Sequence, residues 1–223
     1  MRCRSSVQVN LLVNMARGIL RTGETDASRV EAFSDGVLAI VITLLILDVK
    51  IPHDIRGGND ALWAALREQL PMLGAWVLSF SFVLVFWVAH HYLFKQLTKV
   101  DRGILWLNGL FLLSICFTPF PTAILGLYPN LSGSSTLLSA AMFITSSCFA
   151  ILRWYATHHA KLMAPHLSQQ AGPALRRSLL GPIGYLLAIL AAQLSIPLST
   201  ALMIAVPIIF FMPQRRTPKD MAV

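Results

Sequence analysis

Apolar residues fall into six stretches, at about residues 30–51, 71–94, 104–126, 136–154, 177–194 and 196–212, with shorter polar segments between them. A helix needs roughly 17–25 residues to cross a hydrocarbon core of about 30 Å, and each stretch meets that length. None alternates apolar and polar positions in the short segments a membrane β-barrel requires. The pattern predicts an all-α integral membrane protein with six transmembrane helices per subunit. Pro182, Pro197 and Pro207 fall in the last two stretches, where membrane bundles tolerate proline better than soluble helices do. The expected organisation is a polar N-terminal extension, 1–28, a six-helix membrane domain, 29–213, and a short tail, 214–223. The run Val7 to Val13 is too short and too polar for a secretory signal, and Met1 and Met15 both stand as possible starts.

Composition sharpens this picture. Of the 223 residues, 56% are hydrophobic and only 13% charged. An average soluble domain carries about 25% charged residues, so neither a soluble domain nor a disordered chain fits. The three cysteines, Cys3, Cys116 and Cys148, are far apart and suggest no disulfide framework or zinc site. The net charge of +8 raises the question of nucleic acid, but no basic patch interleaved with aromatics supports such a partner.

The basic residues instead report orientation. With the N-terminus in the cytoplasm, the inner side holds five Lys and Arg before the first span, three in Lys95–Arg102, four in Arg153–Arg177 and three in the tail. The outer side then holds only Lys50, Arg56 and Arg67. That asymmetry obeys the positive-inside rule and places both termini in the cytoplasm. Attraction to anionic lipid follows as a by-product.

The first stretch carries the candidate chemistry. It begins Arg29-x-x-x-Phe33-Ser34-Asp35-Gly36 and puts Asp35 more than one turn inside the membrane boundary. A charge there is costly unless paired. His90 and His91, near the inner end of the second stretch, and Asn108, near the inner start of the third, lie at similar depth. These positions predict a buried network of Ser34 and Asp35 with one of the histidines, Asn108 and Arg29. Two roles are open: locking three helices together, or acting as a proton relay or cation site. His90 and His91 diverge by about 100° on a helix, too far to share one metal easily. No metal site and no cofactor are expected.

A second feature emerges at 100° per residue: Gly36, Ile40, Thr43, Leu44 and Leu47 share an arc of about 100°, with Asp35 about 120° from its centre. Gly181-Pro182-Ile183-Gly184-Tyr185 superficially resembles a T-V-G-Y-G potassium filter, but it lacks the threonine-valine lead and reads as a helix irregularity. His158 and His159 read as loop residues. No catalytic constellation is present, so an enzyme is not expected.

The Arg29-x-x-x-Phe33-Ser34-Asp35 entrance resembles the signature of the transmembrane protein 175 family, in its prokaryotic branch. Ala39, Ile40, Thr43 and Leu44 continue the likeness. So do Trp87-x-x-His90-His91-x-x-Phe94 on the second stretch and Leu105, Trp106 and Asn108 on the third. The resemblance is strong over about 28–126 and looser beyond.

It implies a homotetramer in which four copies of the first helix line a central pore. It further implies a potassium-preferring cation channel whose constriction is apolar, without a carbonyl filter, in a prokaryotic plasma membrane. Carried over by position, Ile40, Leu44 and Leu47 match apolar pore rings and Thr43 a pore-facing threonine linked to potassium preference. Phe33, Ser34 and Asp35 match a structural signature with partners on the second and third helices. Potassium and other monovalent cations are the expected permeant ions. A proton-coupled transporter using an Asp/His relay and a non-transporting membrane scaffold are the alternatives.

Overall fold

The computed structural model describes residues 26–50, 52, 55–158, 162 and 168–211. Most of the expected N-terminal extension, the whole tail 214–223, Met15 and His159 lie outside these residues. The described chain is all helical: α1 Ala27–Leu44, α2 Gly58–Glu68, α3 Leu70–Phe94, α4 Arg102–Cys116, α5 Pro119–Leu127, α6 Ser132–His158, α7 Ser168–Ser178, α8 Leu180–Ala192 and α9 Ile196–Phe211.

Local chemistry sets the starts and stops. Asp26 caps α1 by accepting the Ser28 N–H at 3.1 Å, and α1 tightens at its far end into a 3₁₀ turn over Leu45–Asp48. Asp101 caps α4 by accepting the Ile104 N–H at 2.9 Å. Its other oxygen accepts the Tyr155 hydroxyl, also at 2.9 Å, which ties the start of α4 to the end of α6. The Arg177 guanidinium donates to the carbonyls of Ile209 and Phe210, both at 2.8 Å. Those are carbonyls of the last turn of α9, which no N–H of their own helix reaches.

Two expectations about the spans need correction. The third stretch is two helices, α4 and α5, because Pro119 has no N–H to donate and its ring crowds the carbonyl four residues back. The turn between them closes with shorter i→i−3 bonds, from Phe117 to Ser114 and from Thr118 to Ile115. The connection 48–70 also contains an unforeseen amphipathic helix, α2, that starts after Gly57 at φ 126° and buries none of its side chains.

Among the described residues, five segments are long and apolar enough to cross a membrane: Ala27–Asp48, Leu70–Phe94, Arg102–Leu127, Ser132–His158 and Gly172–Ala192. The sixth expected span is α9, with 16 residues. At 1.5 Å per residue α9 is about 24 Å long, short of an average hydrocarbon core.

The helices pack around α6, which touches α4, α5, α7, α8 and α9. α1 lies at the margin, against α3 and α4. An aromatic triangle joins α3, α4 and α6: Phe86–Phe111 at 5.8 Å, Phe111–Phe149 at 5.4 Å and Phe86–Phe149 at 6.1 Å between ring centres. Each such pair adds about 0.5–1.5 kcal/mol beyond area burial.

Candidate functional site

α1 has two unlike faces. Ala27, Val30, Ser34, Leu38 and Val41 are buried against α3 and α4, and Leu45 continues the row. At 100° per residue the arc of Ile40, Thr43, Leu44 and Leu47 is centred about 130° away from that row. It is left uncovered by the chain's own helices: Ile40 is 59% exposed, Leu44 44% and Leu47 72%. The Thr43 hydroxyl donates to the Ile40 carbonyl at 2.8 Å. Its proton is therefore engaged by its own helix, and its oxygen lone pairs face outward.

On the buried face the structure assembles a polar chain from three helices. Ser34 Oγ donates to the Val30 carbonyl at 2.8 Å. Asn108 Nδ2 donates to Ser34 Oγ at 2.9 Å, and Asn108 Oδ1 lies 2.9 Å from His90 Nε2. Because the Asn108 amide donates to Ser34, its oxygen must accept, so His90 carries its proton on Nε2. The ring is sandwiched between Phe94 at 4.3 Å and Phe111 at 5.8 Å. His90, not His91, is thus the network histidine.

The remaining expected members lie elsewhere. Asp35 accepts the Trp87 indole N–H at 2.9 Å and has no hydrogen bond to either histidine. It is one residue round the helix from Ser34, which turns it by about 100° out of the buried row. No direct hydrogen bond joins Asp35 to a histidine, although one of its oxygens lies within 4.8 Å of a His91 ring nitrogen. His91 instead points at Glu31, its Nδ1 2.8 Å from a carboxylate oxygen. Glu31 occupies an x position of the Arg29-x-x-x-Phe33 signature, so the motif itself carries no signal for it. Phe33 is 66% exposed and by helical phase falls on the uncovered side of α1. Arg29 is exposed as well and forms no ion pair among the described residues.

Arg153, at the inner end of the fourth apolar stretch, is buried on α6, which continues to His158. Its guanidinium donates to the Ala89 carbonyl at 3.1 Å and lies over the Phe149 ring at 5.4 Å. A single arginine at the edge of an apolar run was the signal for it.

Gly181 and Gly184 open α8 as packing residues rather than as a filter. A Cβ on Gly181 would come within 3.0 Å of Ser146 on α6, and one on Gly184 within 2.6 Å of Val206 on α9. The motif's small residues let three helices approach closely.

Comparison with known proteins concentrates on the same region. A profile of the family described as the endosomal/lysosomal potassium channel TMEM175 matches residues 29–119. A potassium channel from Streptomyces collinus is 40% identical over 181 residues, covering 79% of this chain and 87% of the relative. A potassium channel from Chamaesiphon minutus is 31% identical over 191 residues, covering 84% of this chain and 94% of the relative. Among solved structures, the crystal structure of a lysosomal potassium-selective channel TMEM175 homolog from Chamaesiphon minutus has a TM-score of 0.74 at 30% identity, covering 82% of this chain and 95% of that one. The stretch 29–119 contains the uncovered arc of α1 and the whole polar chain behind it.

Proposed function

The chain belongs to the TMEM175 family of ion channels, and from that premise we propose that it is a potassium-preferring cation channel whose gate is a ring of apolar side chains from α1. The family is one of channels, not enzymes. The observation that carries the reading is the uncovered arc Ile40, Thr43, Leu44 and Leu47, opposite the face that α1 packs on α3 and α4. In a homotetramer with both termini in the cytoplasm, four such arcs meet at the axis, and α9 completes a sixth span.

A closed ring of isoleucine or leucine side chains blocks ions by excluding water. Opening then requires α1 to rotate or move outward. Ions passing such a pore find few protein ligands, so the cation that dehydrates most cheaply has the advantage, which favours potassium over sodium. The Thr43 oxygens, with their protons already given to Ile40, supply acceptors at one level of the path. The membrane in this reading is the prokaryotic plasma membrane.

The test is flux from liposomes holding the purified protein, under a potassium gradient and again under a sodium gradient. Wild type should conduct potassium faster than sodium, and Ile40→Asn should raise both fluxes by wetting the constriction. Equal flux from wild type and Ile40→Asn, with both proteins intact in the membrane, takes the gate away from α1.

A further inference from the structure

A second polar cluster lies beside the Ser34–Asn108–His90 chain and is not part of it. Glu31 and Asp35 are one turn apart on α1 and present their carboxylates on the same side. His91 reaches them from α3. One oxygen from each carboxylate and one ring nitrogen of His91 all lie within 4.8 Å of one another. None of the three side chains is fully exposed or fully buried, so the cluster is held by the fold yet open to solution.

Three details separate this group from a surface patch of acids. First, the third member is an imidazole from another helix, which brings a nitrogen donor to two oxygen donors. Second, His91 Nδ1 is shut off from solvent and lies 2.8 Å from Glu31 Oε1, so an imidazole nitrogen and a carboxylate already meet between the two helices. Third, Trp87 orients two of the three groups. Its indole N–H holds one Asp35 oxygen at 2.9 Å, and its ring stacks on His91 at 5.8 Å with an 18° tilt. Metal ligands are commonly fixed by outer partners of this kind. Among the described residues no lysine or arginine is paired with either carboxylate.

We infer that Glu31, Asp35 and His91 form a binding site for a divalent transition-metal ion of the zinc type, linking α1 to α3. Two carboxylate oxygens and one imidazole nitrogen suit zinc, with a fourth position left to water. Ligands about 2.1 Å from one ion lie roughly 3–4 Å apart, so modest side-chain rotation closes the cluster. A bound ion adds a coordinate link where one ion pair and one indole hydrogen bond now join the helices. The site does not depend on whether the protein conducts.

The experiment is a cobalt(II) titration of the full-length chain in detergent, free of any histidine tag, read by the visible absorption of cobalt and then by its displacement with zinc. One ion per chain is expected. His91→Gln and Glu31→Gln should each weaken binding by more than about 100-fold, and Trp87→Phe by about 10–100-fold. His158→Gln, at the exposed end of α6, should bind as wild type. Size exclusion in EDTA checks each variant, and the near-isosteric Glu31→Gln serves if His91→Gln does not fold. No saturable binding by wild type overturns the site, and so does wild-type affinity in a folded Glu31→Gln or His91→Gln protein.

Discussion

More than half of the membrane stretch of α6 is buried inside the chain, against little more than a quarter of that of α1. The residue types run opposite to what a soluble protein would use. α6 buries Ser134, Ser135, Ser139, Thr145 and Ser146 alongside Ala141, Ala150 and Ala156. α1 leaves Phe33, Ile40, Leu44 and Leu47 uncovered. Lipid is as apolar as leucine, so burying large side chains gains little in a membrane, while small residues let helices close on one another. Burial on α6 therefore reports how the chain holds itself together. Exposure on α1 reports what lies beyond the chain, whether lipid, a second copy or an axial path.

Breaking that contrast calls for the same change on each helix. Met142, on α6, has no exposed surface. Met142→Asn removes its packing and buries an amide without partners, and should cost about 3–5 kcal/mol. The readout is loss of a monodisperse peak and a large fall in Tm. Leu47→Asn, at the uncovered end of α1, should leave both nearly unchanged while raising ion flux. Equal destabilisation by the two would mean that Leu47 packs as Met142 does, and the difference between the helices would vanish.

The next effect in size concerns the one place where α1 is firmly held. Asn108→Ala leaves the Nε2–H of His90 without its acceptor and removes the donor to Ser34. Unpairing one buried group costs about 1–3 kcal/mol. Thermal unfolding in detergent should register that loss, while Arg29→Ala, at an exposed position, should stay within about 0.5 kcal/mol. A large loss from Arg29→Ala would instead show that a neighbouring copy buries it.

How much of this was legible beforehand follows from which interactions are local. Five of the six expected spans were readable because length and apolarity alone mark them, and the uncovered arc because helical phase fixes which side chains share a face. The polar chain was readable in part. Depth put Ser34, His90 and Asn108 together, but depth is one coordinate and says nothing about rotation round each helix. Rotation is why Asp35 went to Trp87 and His91 to Glu31. The break at Pro119 could have been read from the proline itself. For Arg153 a lone arginine at the edge of an apolar run was readable, but its partner was not, because that depends on α3 supplying the Ala89 carbonyl at the same level.

The change in stability expected at Thr43 is small, and it is the most informative one about ions. Thr43→Val keeps the shape of the side chain and removes one oxygen. The hydrogen bond it loses, to the Ile40 carbonyl, is exposed and within one helix. Substitutions outside the packed interior usually stay within about 0.5 kcal/mol, so Tm should hardly move. Ion preference should move, because the oxygen is the only side-chain acceptor within the arc from Ile40 to Leu47. If that acceptor replaces part of the water a potassium ion sheds, its loss penalises potassium more than it does a cation that keeps its water. The reversal potential under opposed potassium and sodium gradients should shift toward no preference, with total conductance retained. A reversal potential unchanged from wild type would leave the apolar rings as the sole barrier and take Thr43 out of the selection of ions.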